Sequence, residues 1–139
     1  MKRYLLDTNV LSAVVKDPDG LVSSQLEAVA ARSDGVYTSV IVAAELRFGV
    51  SRLRSVRLAQ RVERVLSEIR VASFAAPADR VYADLRAELE RRGTPIGAND
   101  LWIAAQALHD GSVLVTDNVS EFSRVPGLTV ENWLRPQAR

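Results

Sequence analysis

Residues 4–9 read Tyr4-Leu5-Leu6-Asp7-Thr8-Asn9, a short apolar run that ends in a polar turn. A wholly apolar run of this length is typical of a strand that is buried on both faces of a sheet. The three polar residues that follow are of the kind that begin helices, and Val10 to Lys16 continue as a predicted short helix. The stretch therefore predicts a buried strand that leads directly into a helix.

The same alternation of strand and helix recurs along the rest of the chain. Apolar residues at helical spacing predict further helices, which cover residues 21–32, 40–48 after the cap Ser39, about 53–70 after a break at Gly49–Ser51, 77–92, and 96–110 before Gly111. Short β-prone runs predict strands at 36–38, 71–74, 112–116 and 128–130. This order indicates a parallel sheet covered by helices, so the predicted class is α/β. No linker or repeat divides the chain, and we expect one domain over residues 1–139.

Composition limits the class of protein. The chain has 139 residues, of which 47% are hydrophobic and 25% are charged, as in a globular domain with a continuous core. It has no apolar run of about 18 residues and no signal-peptide pattern, so we expect neither a membrane span nor export. The absence of cysteine excludes disulfides and thiolate zinc sites and fits the cytoplasm. The net charge of +1, taken alone, argues against a nucleic-acid partner.

Four acidic residues fall at informative positions in this pattern. Asp7 and Asp117 directly follow predicted strands, and Asp100 lies in the first turn of a predicted helix. Ligands of open parallel sheets gather at the carboxyl ends of the strands, so these three carboxylates are expected at one edge. Glu45 lies within an otherwise apolar helix, where a carboxylate tends to need a partner.

Each of these residues also has a purely structural interpretation. Asp7 and Asp117 fit helix N-caps, Asp100 favours its helix dipole, and Glu45 fits a solvent-facing position. Taken together, the four carboxylates indicate a metal site. Oxygen ligands without histidine or cysteine suit Mg²⁺ or Mn²⁺, and such an ion activates water without a side-chain base.

Four stretches, in this order along the chain, carry recognisable motifs. They are Leu5-Leu6-Asp7-Thr8-Asn9-Val10-Leu11, Thr38-Ser39 with Ala43-Ala44-Glu45-Leu46-Arg47 and Gly49, Ile96-Gly97-Ala98-Asn99-Asp100-Leu101 with Ile103-Ala104-Ala105, and Leu114-Val115-Thr116-Asp117-Asn118 with Glu121-Phe122. Together they resemble PIN-domain ribonucleases, and more closely the VapC toxins of type II toxin–antitoxin pairs. The resemblance runs from residue 3 to about residue 134.

The resemblance implies a three-layer α/β/α fold with a mainly parallel sheet and endoribonuclease activity that depends on Mg²⁺ or Mn²⁺. It makes Asp7, Glu45 and Asp100 the acidic ligands and catalytic residues, with Asp117 as the fourth, a position that is sometimes asparagine in the family. The supporting residues that it implies are Thr8 and Asn9, which orient the first carboxylate, and Thr116 and Asn118, which flank the fourth. The expected partners are a structured RNA such as tRNA, a cognate VapB-like antitoxin, and a second copy of the chain.

An arginine-rich segment follows the second motif. Residues 47–64 hold six arginines and a single acid, Glu63, which is a local charge of about +5. Their spacing of seven residues (Arg47, Arg54, Arg61), or of four and three (Arg57, Arg61, Arg64), allows them to share a helical face. Arg47, Arg54, Arg57 and Arg61 are therefore candidate contacts to RNA phosphates or to an acidic antitoxin segment, and a solvated helix face is the alternative.

Two other residues favour a structural interpretation. His109 is the only histidine and lies at the end of its predicted helix, where it favours the helix dipole. Trp102 lies at helical spacing and fits packing in the core or in a dimer interface.

Two other functions remain open at this point. A phosphatase of the haloacid-dehalogenase type also places an aspartate after its first strand. Such a phosphatase requires a second aspartate at the position that Asn9 occupies here. It also requires a lysine late in the chain, whereas the last lysine of this chain is Lys16. The other alternative is a catalytically silent module that acts by binding an antitoxin.

Overall fold

The computed structural model describes residues 1–135, in which helices and strands alternate. The strands are β1 (Arg3–Leu6), β2 (Gly35–Ser39), β3 (Arg70–Ala72), β4 (Val113–Val115) and β5 (Val130–Glu131). The helices are α1 (Thr8–Lys16), α2 (Leu21–Ala31), α3 (Val40–Leu53), α4 (Val56–Ser67), α5 (Ala78–Arg91), α6 (Ala98–Asp110) and α7 (Val119–Phe122). Within residues 1–135, none of these helices has the length and apolarity that a membrane span requires.

The five strands form one parallel sheet in the order β3-β2-β1-β4-β5. Crossovers between parallel strands are right-handed, so connections that run in opposite directions along the sheet cover opposite faces. The helices between β1 and β3 therefore cover one face, where α1 contacts α2, α3 and α4, and the α5–α6 pair covers the other. This arrangement confirms the predicted three-layer α/β/α fold.

The central strand forms the middle of the core. Leu5 and Leu6 of β1 are fully buried, as are Leu114 and Val115 of the neighbouring β4. A fully buried leucine stabilises the fold by roughly 2–3 kcal/mol relative to an exposed one. Strands covered on both faces have no polar side to display, which explains why residues 4–6 are apolar without alternation.

Side-chain caps begin the helices that matter for the site. The Ser39 hydroxyl accepts the Ile41 N–H at 3.0 Å and begins α3, as predicted. The Ser55 hydroxyl accepts the Leu58 N–H at 3.2 Å and begins α4. Gly111 ends α6 in the left-handed region at φ 66°, which confirms the predicted stop.

Several predicted boundaries are wrong, among them the end of α3 and the position of the last strand. Helix α3 passes through Gly49–Ser51 and ends at Arg54, which takes the left-handed conformation at φ 53°. A glycine inside a helix costs only about 1 kcal/mol, and burial of Val42 and Leu46 offsets that cost. The last strand was predicted at 128–130 and lies at Val130–Glu131, because pairing with β4 at Leu114 and Val115 sets its position.

Candidate active site

The site lies at the carboxyl ends of the two central strands. Asp7 directly follows β1 and Thr116 directly follows β4, and the Asp7 N–H donates to the Val115 carbonyl at 2.9 Å. Because β1 and β4 are parallel neighbours, their carboxyl ends bring residues more than a hundred positions apart into contact. Sheet topology therefore positions the first carboxylate beside the turn after β4.

Asp7 is 3% exposed, and both of its carboxylate oxygens have donors. Oδ1 accepts the Thr8 N–H at 2.8 Å, and Oδ2 accepts the Thr116 hydroxyl at 2.8 Å. Burial raises the pKa of Asp7 above its ordinary value, while the Thr116 and Thr8 hydrogen bonds lower it and the charges of Glu45 and Glu121 raise it further. The carboxylate is thus rigidly oriented in a site that disfavours its negative charge.

Glu45 reaches the same edge from α3. Its Oε1 accepts the Thr8 hydroxyl at 3.0 Å, so the side chain, which is half-buried, points towards α1. The solvent-facing position that the sequence also allowed is therefore wrong. Thr8 links the first two carboxylates, since its N–H binds Asp7 and its hydroxyl binds Glu45.

Asp100, in the first turn of α6, pairs with Glu121 of α7. Burial, a hydrogen bond with Glu121 and the charges of Asp7, Glu121 and Glu45 raise the pKa of Asp100 to about 8. The pKa of Glu121 is lowered by the Asp100 hydrogen bond, by the Gly97 N–H at 2.7 Å from Oε1, and by the Asn118 side-chain amide. Burial and the neighbouring carboxylates therefore favour the protonated form of Asp100, whereas the donors around Glu121 favour its ionised form.

Sequence reasoning missed Glu121 as a member of this cluster. The available signal was its spacing, since Glu121 lies three residues after the helix-starting Asn118, where an acidic side chain commonly completes a cap. Its contact with Asp100 depends on how α7 lies against the loop before α6. Because this contact joins segments that are distant in the chain, no local sequence pattern indicates it.

Asp117 has different contacts from the other predicted ligands. Its side chain is 45% exposed, its Oδ1 accepts the Asn132 amide at 3.0 Å, and the Arg135 guanidinium lies 4.0 Å away. These partners follow β5 in the chain and hold the carboxylate from that side. The role of Asp117 as a fourth ligand stays a prediction.

The four predicted supporting residues tie the ends of β1 and β4 together. The Thr116 hydroxyl, which donates to Asp7, accepts the Asn118 N–H at 3.1 Å and lies 3.4 Å from the Asn9 amide nitrogen. Asn9 also accepts the Asp117 N–H at 2.9 Å. This network fixes the backbone from which the acidic side chains project.

The donor set fits a hard divalent cation, although its present side-chain contacts do not form a ligand cage. Carboxylate oxygens are the ligands of Mg²⁺ and Mn²⁺, and a cation would relieve the repulsion that raises the pKa values of Asp7 and Asp100. Within residues 1–135, no three acidic or histidine side chains lie close enough together to hold an ion as they stand. Glu45 binds Thr8 and Asp100 binds Glu121, so metal loading requires new partners for both.

The structure separates the candidate arginines into two groups. Arg47 lies on α3 and donates twice to Glu63, at 3.0 and 2.8 Å. Arg54 forms the turn between α3 and α4, whereas Arg57 and Arg61 lie exposed on α4. The prediction that Arg47, Arg54 and Arg61 share one helical face is therefore wrong, because the helix ends at Arg54.

His109 and Trp102 take no part in the hydrogen bonds described above for Asp7, Glu45 and Asp100. His109 is at the C-terminal end of α6, with Nδ1 3.1 Å from Asp110, at the opposite end of the helix from Asp100. The Trp102 ring stacks on Tyr82 at a centroid distance of 3.6 Å and meets Phe74 edge-on at 5.1 Å. Aromatic packing therefore fixes Trp102 between α5 and the segment after β3.

Sequence comparisons identify relatives of the whole chain. The PIN domain family model matches residues 4–128. Ribonuclease VapC2 of Rickettsia felis is 40% identical over 132 residues, which cover 94% of this chain and 97% of that protein. The tRNA(fMet)-specific endonuclease VapC of Salmonella typhimurium is 33% identical over 134 residues, with 96% and 99% covered.

Solved structures of the same fold include VapBC complexes. VapBC2 from Rickettsia felis, bound to a DNA fragment from its promoter, matches with a TM-score of 0.86 and 36% identity over 94% of this chain and 98% of that one. DNA-bound VapBC from Salmonella typhimurium matches with a TM-score of 0.84 and 31% identity over 96% and 99%. The chain therefore belongs to the PIN-domain family and, within it, to the VapC ribonucleases.

Proposed function

We propose that this protein is an endoribonuclease toxin that depends on Mg²⁺ or Mn²⁺ and hydrolyses a phosphodiester in structured RNA. The observation that carries the proposal is the position of Asp7, Glu45 and Asp100 at one sheet edge, where burial and the charge of Glu45 raise the pKa of both aspartates and the charge of Asp7 raises that of Asp100 further. Such a cluster suits an ion that binds phosphate. The relative from Salmonella is named a tRNA(fMet)-specific endonuclease, which makes tRNA the substrate class to test first.

The proposed chemistry assigns separate roles to the residues of the cluster. Asp7, Glu45 and Asp100 would hold the ion, with Asp117 or Glu121 as the fourth carboxylate. When bound, the ion would acidify a water molecule and stabilise charge on the attacking and leaving oxygens. Thr8 and Thr116 orient Asp7, and because the pKa of Asp100 is raised, binding of a cation would favour loss of the Asp100 proton. The expected leaving group is the ribose 3′-hydroxyl.

A cleavage assay on purified tRNA tests this proposal. We expect cleavage with Mg²⁺ or Mn²⁺, none with a chelator, and a loss of about a hundredfold or more in Asp7→Asn, because an amide is a poor substitute for a metal-binding carboxylate. Asp84→Asn, on the exposed surface of α5, is the matched control and should cleave as the wild type does.

Two outcomes of that assay contradict the proposal. If Asp7→Asn cleaved tRNA at the wild-type rate, the Asp7 carboxylate would have no role in the reaction. A folded wild-type protein that cleaves no tRNA or other structured RNA with either metal would favour a catalytically silent module.

We also propose a VapB-like antitoxin as the partner that inhibits this nuclease. Supporting this, the structural neighbours from Rickettsia felis and Salmonella typhimurium are both VapBC complexes. Co-expression with a candidate VapB-like antitoxin, such as the product of any small reading frame found upstream of its gene, followed by purification through a tag on that partner, tests the pairing. Recovery of this chain with a loss of cleavage is the expected result, and recovery of the tagged partner alone contradicts it.

The second proposed partner is another copy of this chain. Val40 and Phe48 on α3 are 44% and 66% exposed beside a groove of about 630 Å³, which Phe74 and Trp102 also line. Exposed apolar patches of this kind commonly mark protein interfaces, and a symmetric dimer would bury the patch on both copies. Light scattering should give the mass of a dimer for the wild type and of a monomer for Phe48→Arg, and a monomeric wild type contradicts the proposal.

A further inference from the structure

Helix α6 carries Asp100 in its first turn, but its own N-cap does little to fix where the helix begins. That N-cap is Gly97, which has no side chain to cap with, whereas Ser39 and Ser55 begin α3 and α4 with hydroxyl caps. Residues 93–97, which we call the α5–α6 loop, lead into this uncapped start. The position of Asp100 therefore depends on the contacts that hold the α5–α6 loop.

One side of the α5–α6 loop borders a cavity. The cavity has a volume of about 160 Å³ and lies between α5 and the start of α6, where Pro95 and Ile96 line it together with Tyr82 and Leu89. Groups that border a cavity lack packing partners on that side. The loop therefore receives little restraint from α5 at this point.

Polar restraints on the loop come from α7 and from the turn that ends it. Glu121 accepts the Gly97 N–H at 2.7 Å, and the Arg124 guanidinium donates to the Pro95 carbonyl at 3.0 Å. Phe122, which lies between these two residues in the chain, is fully buried and anchors the turn in the core. The two hydrogen bonds therefore tie the loop to a firmly held part of the molecule.

The two restraints differ in their relation to the acidic cluster. Glu121 also contacts Asp100, and its carboxylate is itself a candidate for the fourth ligand. Arg124 instead bonds a backbone carbonyl, which has no charge to gain or lose when a cation binds. The bond from Arg124 is therefore the restraint that involves no proposed ligand.

We propose that Arg124 is a positioning residue for the ribonuclease reaction, because its bond to the Pro95 carbonyl fixes the start of α6 and thereby the place of Asp100. The proposal rests on the proposed function, in which Asp100 is a metal ligand. Catalytic groups must be held within about 0.5 Å of their productive geometry, and a displacement of about 1 Å can cost about a hundredfold in rate. Arg124 acts here through the loop and contacts neither the RNA nor the ion.

Two substitutions of Arg124 and one control test this role in tRNA cleavage. Arg124→Met removes every donor and Arg124→Lys keeps a charged one, while Arg80→Met changes an exposed arginine of α5. We expect Arg124→Met to lower kcat about tenfold, to raise the Mg²⁺ concentration for half-maximal rate about threefold or more, and to leave the KM for tRNA within about twofold. Arg124→Lys should recover most of the loss, and Arg80→Met should cleave as the wild type does.

Amide hydrogen exchange of the metal-free protein gives a second readout that does not depend on cleavage. Arg124→Met should speed exchange in the peptide that covers residues 93–101, because the loop and the first turn of α6 lose a restraint. Peptides from α3, which carries Glu45, should exchange as in the wild type. Arg80→Met should leave both regions unchanged.

Several outcomes would overturn the proposal. Unchanged exchange at residues 93–101 in Arg124→Met would do so, and faster exchange throughout the chain would make Arg124 a contributor to general stability instead. A raised KM for tRNA with an unchanged kcat would assign Arg124 to RNA binding.

The two readouts separate this inference from the proposed nuclease function. A wild-type protein that cleaves no RNA, with faster local exchange in Arg124→Met, would refute the nuclease function and confirm the hold of Arg124 on the loop. A wild-type protein that cleaves RNA, with an Arg124→Met variant that cleaves equally well, would refute this inference alone.

Discussion

At the scale of single residues, Asp7 has two roles at once. Its Oδ1 accepts the first N–H of α1, as a helix cap does, and its Oδ2 accepts the Thr116 hydroxyl at the end of β4. A carboxylate has about four lone-pair sites, so both contacts leave capacity for a cation. The sequence offers the helix cap and the metal ligand as alternative roles for Asp7, and the geometry is compatible with both.

Glu121 and Asp117 are the two candidates for the fourth carboxylate of the proposed metal site. Glu121→Gln removes a charge that contacts Asp100, and we expect it to lower cleavage about tenfold or more and to raise the Mg²⁺ concentration needed for half-maximal rate. Asp117→Asn should change either value by no more than about threefold, since that carboxylate already accepts the Asn132 amide. Cleavage rates across a Mg²⁺ titration check both variants. The reverse order of effects would make Asp117 the fourth ligand.

At the scale of elements, each functional carboxylate depends on where its helix begins. Ser39 ends β2 and caps α3, which places Glu45 between one and two turns into the helix and within reach of Thr8. Asp100 lies in the first turn of α6 for a related reason, since that helix begins next to the carboxyl end of the sheet. The point at which each helix begins relative to the sheet therefore determines where its carboxylate lies.

A matched pair of caps tests this relation. Ser39→Ala and Ser55→Ala each remove one hydroxyl cap, so each should lower the free energy of unfolding by about 1 kcal/mol, or the Tm by roughly 3–6 °C. Only Ser39→Ala should also lower cleavage, because only α3 carries Glu45. Thermal melts and tRNA cleavage rates are the measurements. Equal losses of cleavage in the two variants would show that the α3 cap has no special part in positioning Glu45.

At the scale of the whole molecule, the net charge of +1 is the sum of unlike regions. Carboxylates gather at the carboxyl edge of the sheet, and arginines gather along α4. The charge of about +5 for residues 47–64 already includes Glu63, which pairs with Arg47, and Glu68, just beyond this segment, lies near Arg64. Arg57 and Arg61 lie exposed along α4.

The acidic edge should make stability depend on pH. A carboxyl whose pKa is raised in the folded state, as that of Asp100 is to about 8, binds more protons folded than unfolded between pH 4 and pH 8. The free energy of unfolding should therefore fall as pH rises through that window. Asp100→Asn should reduce this slope and be more stable than the wild type by about 1–2 kcal/mol at pH 8, a value reduced because the site is half-exposed.

Denaturant unfolding at pH 5 and pH 8 with a chelator measures this dependence. Added Mg²⁺ should stabilise the wild type more at pH 8 than at pH 5, because protons compete with the ion, and should stabilise Asp100→Asn much less. Identical pH slopes for the wild type and Asp100→Asn would show that Asp100 is ionised as easily in the fold as in the unfolded chain.

The class, the parallel sheet and the segments that lie at its functional edge are predictable from the sequence alone. The apolar run at residues 4–6 is typical of a strand buried on both faces, and caps such as Ser39 and stops such as Gly111 act within one turn. These signals act between residues that are close in the chain, so they can be recognised in the sequence. The family motifs added the positions of Asp7, Glu45 and Asp100.

Which carboxylate pairs with Asp100, and where the arginines lie, depends on contacts between distant segments. Glu121 meets Asp100 because α7 packs beside the start of α6, and the arginine row is divided because α3 ends at Arg54 rather than at Gly49. The position of β5 likewise depends on its pairing with β4. Each of these results is set by contacts between segments distant in the chain, whose energies no local pattern of residues records.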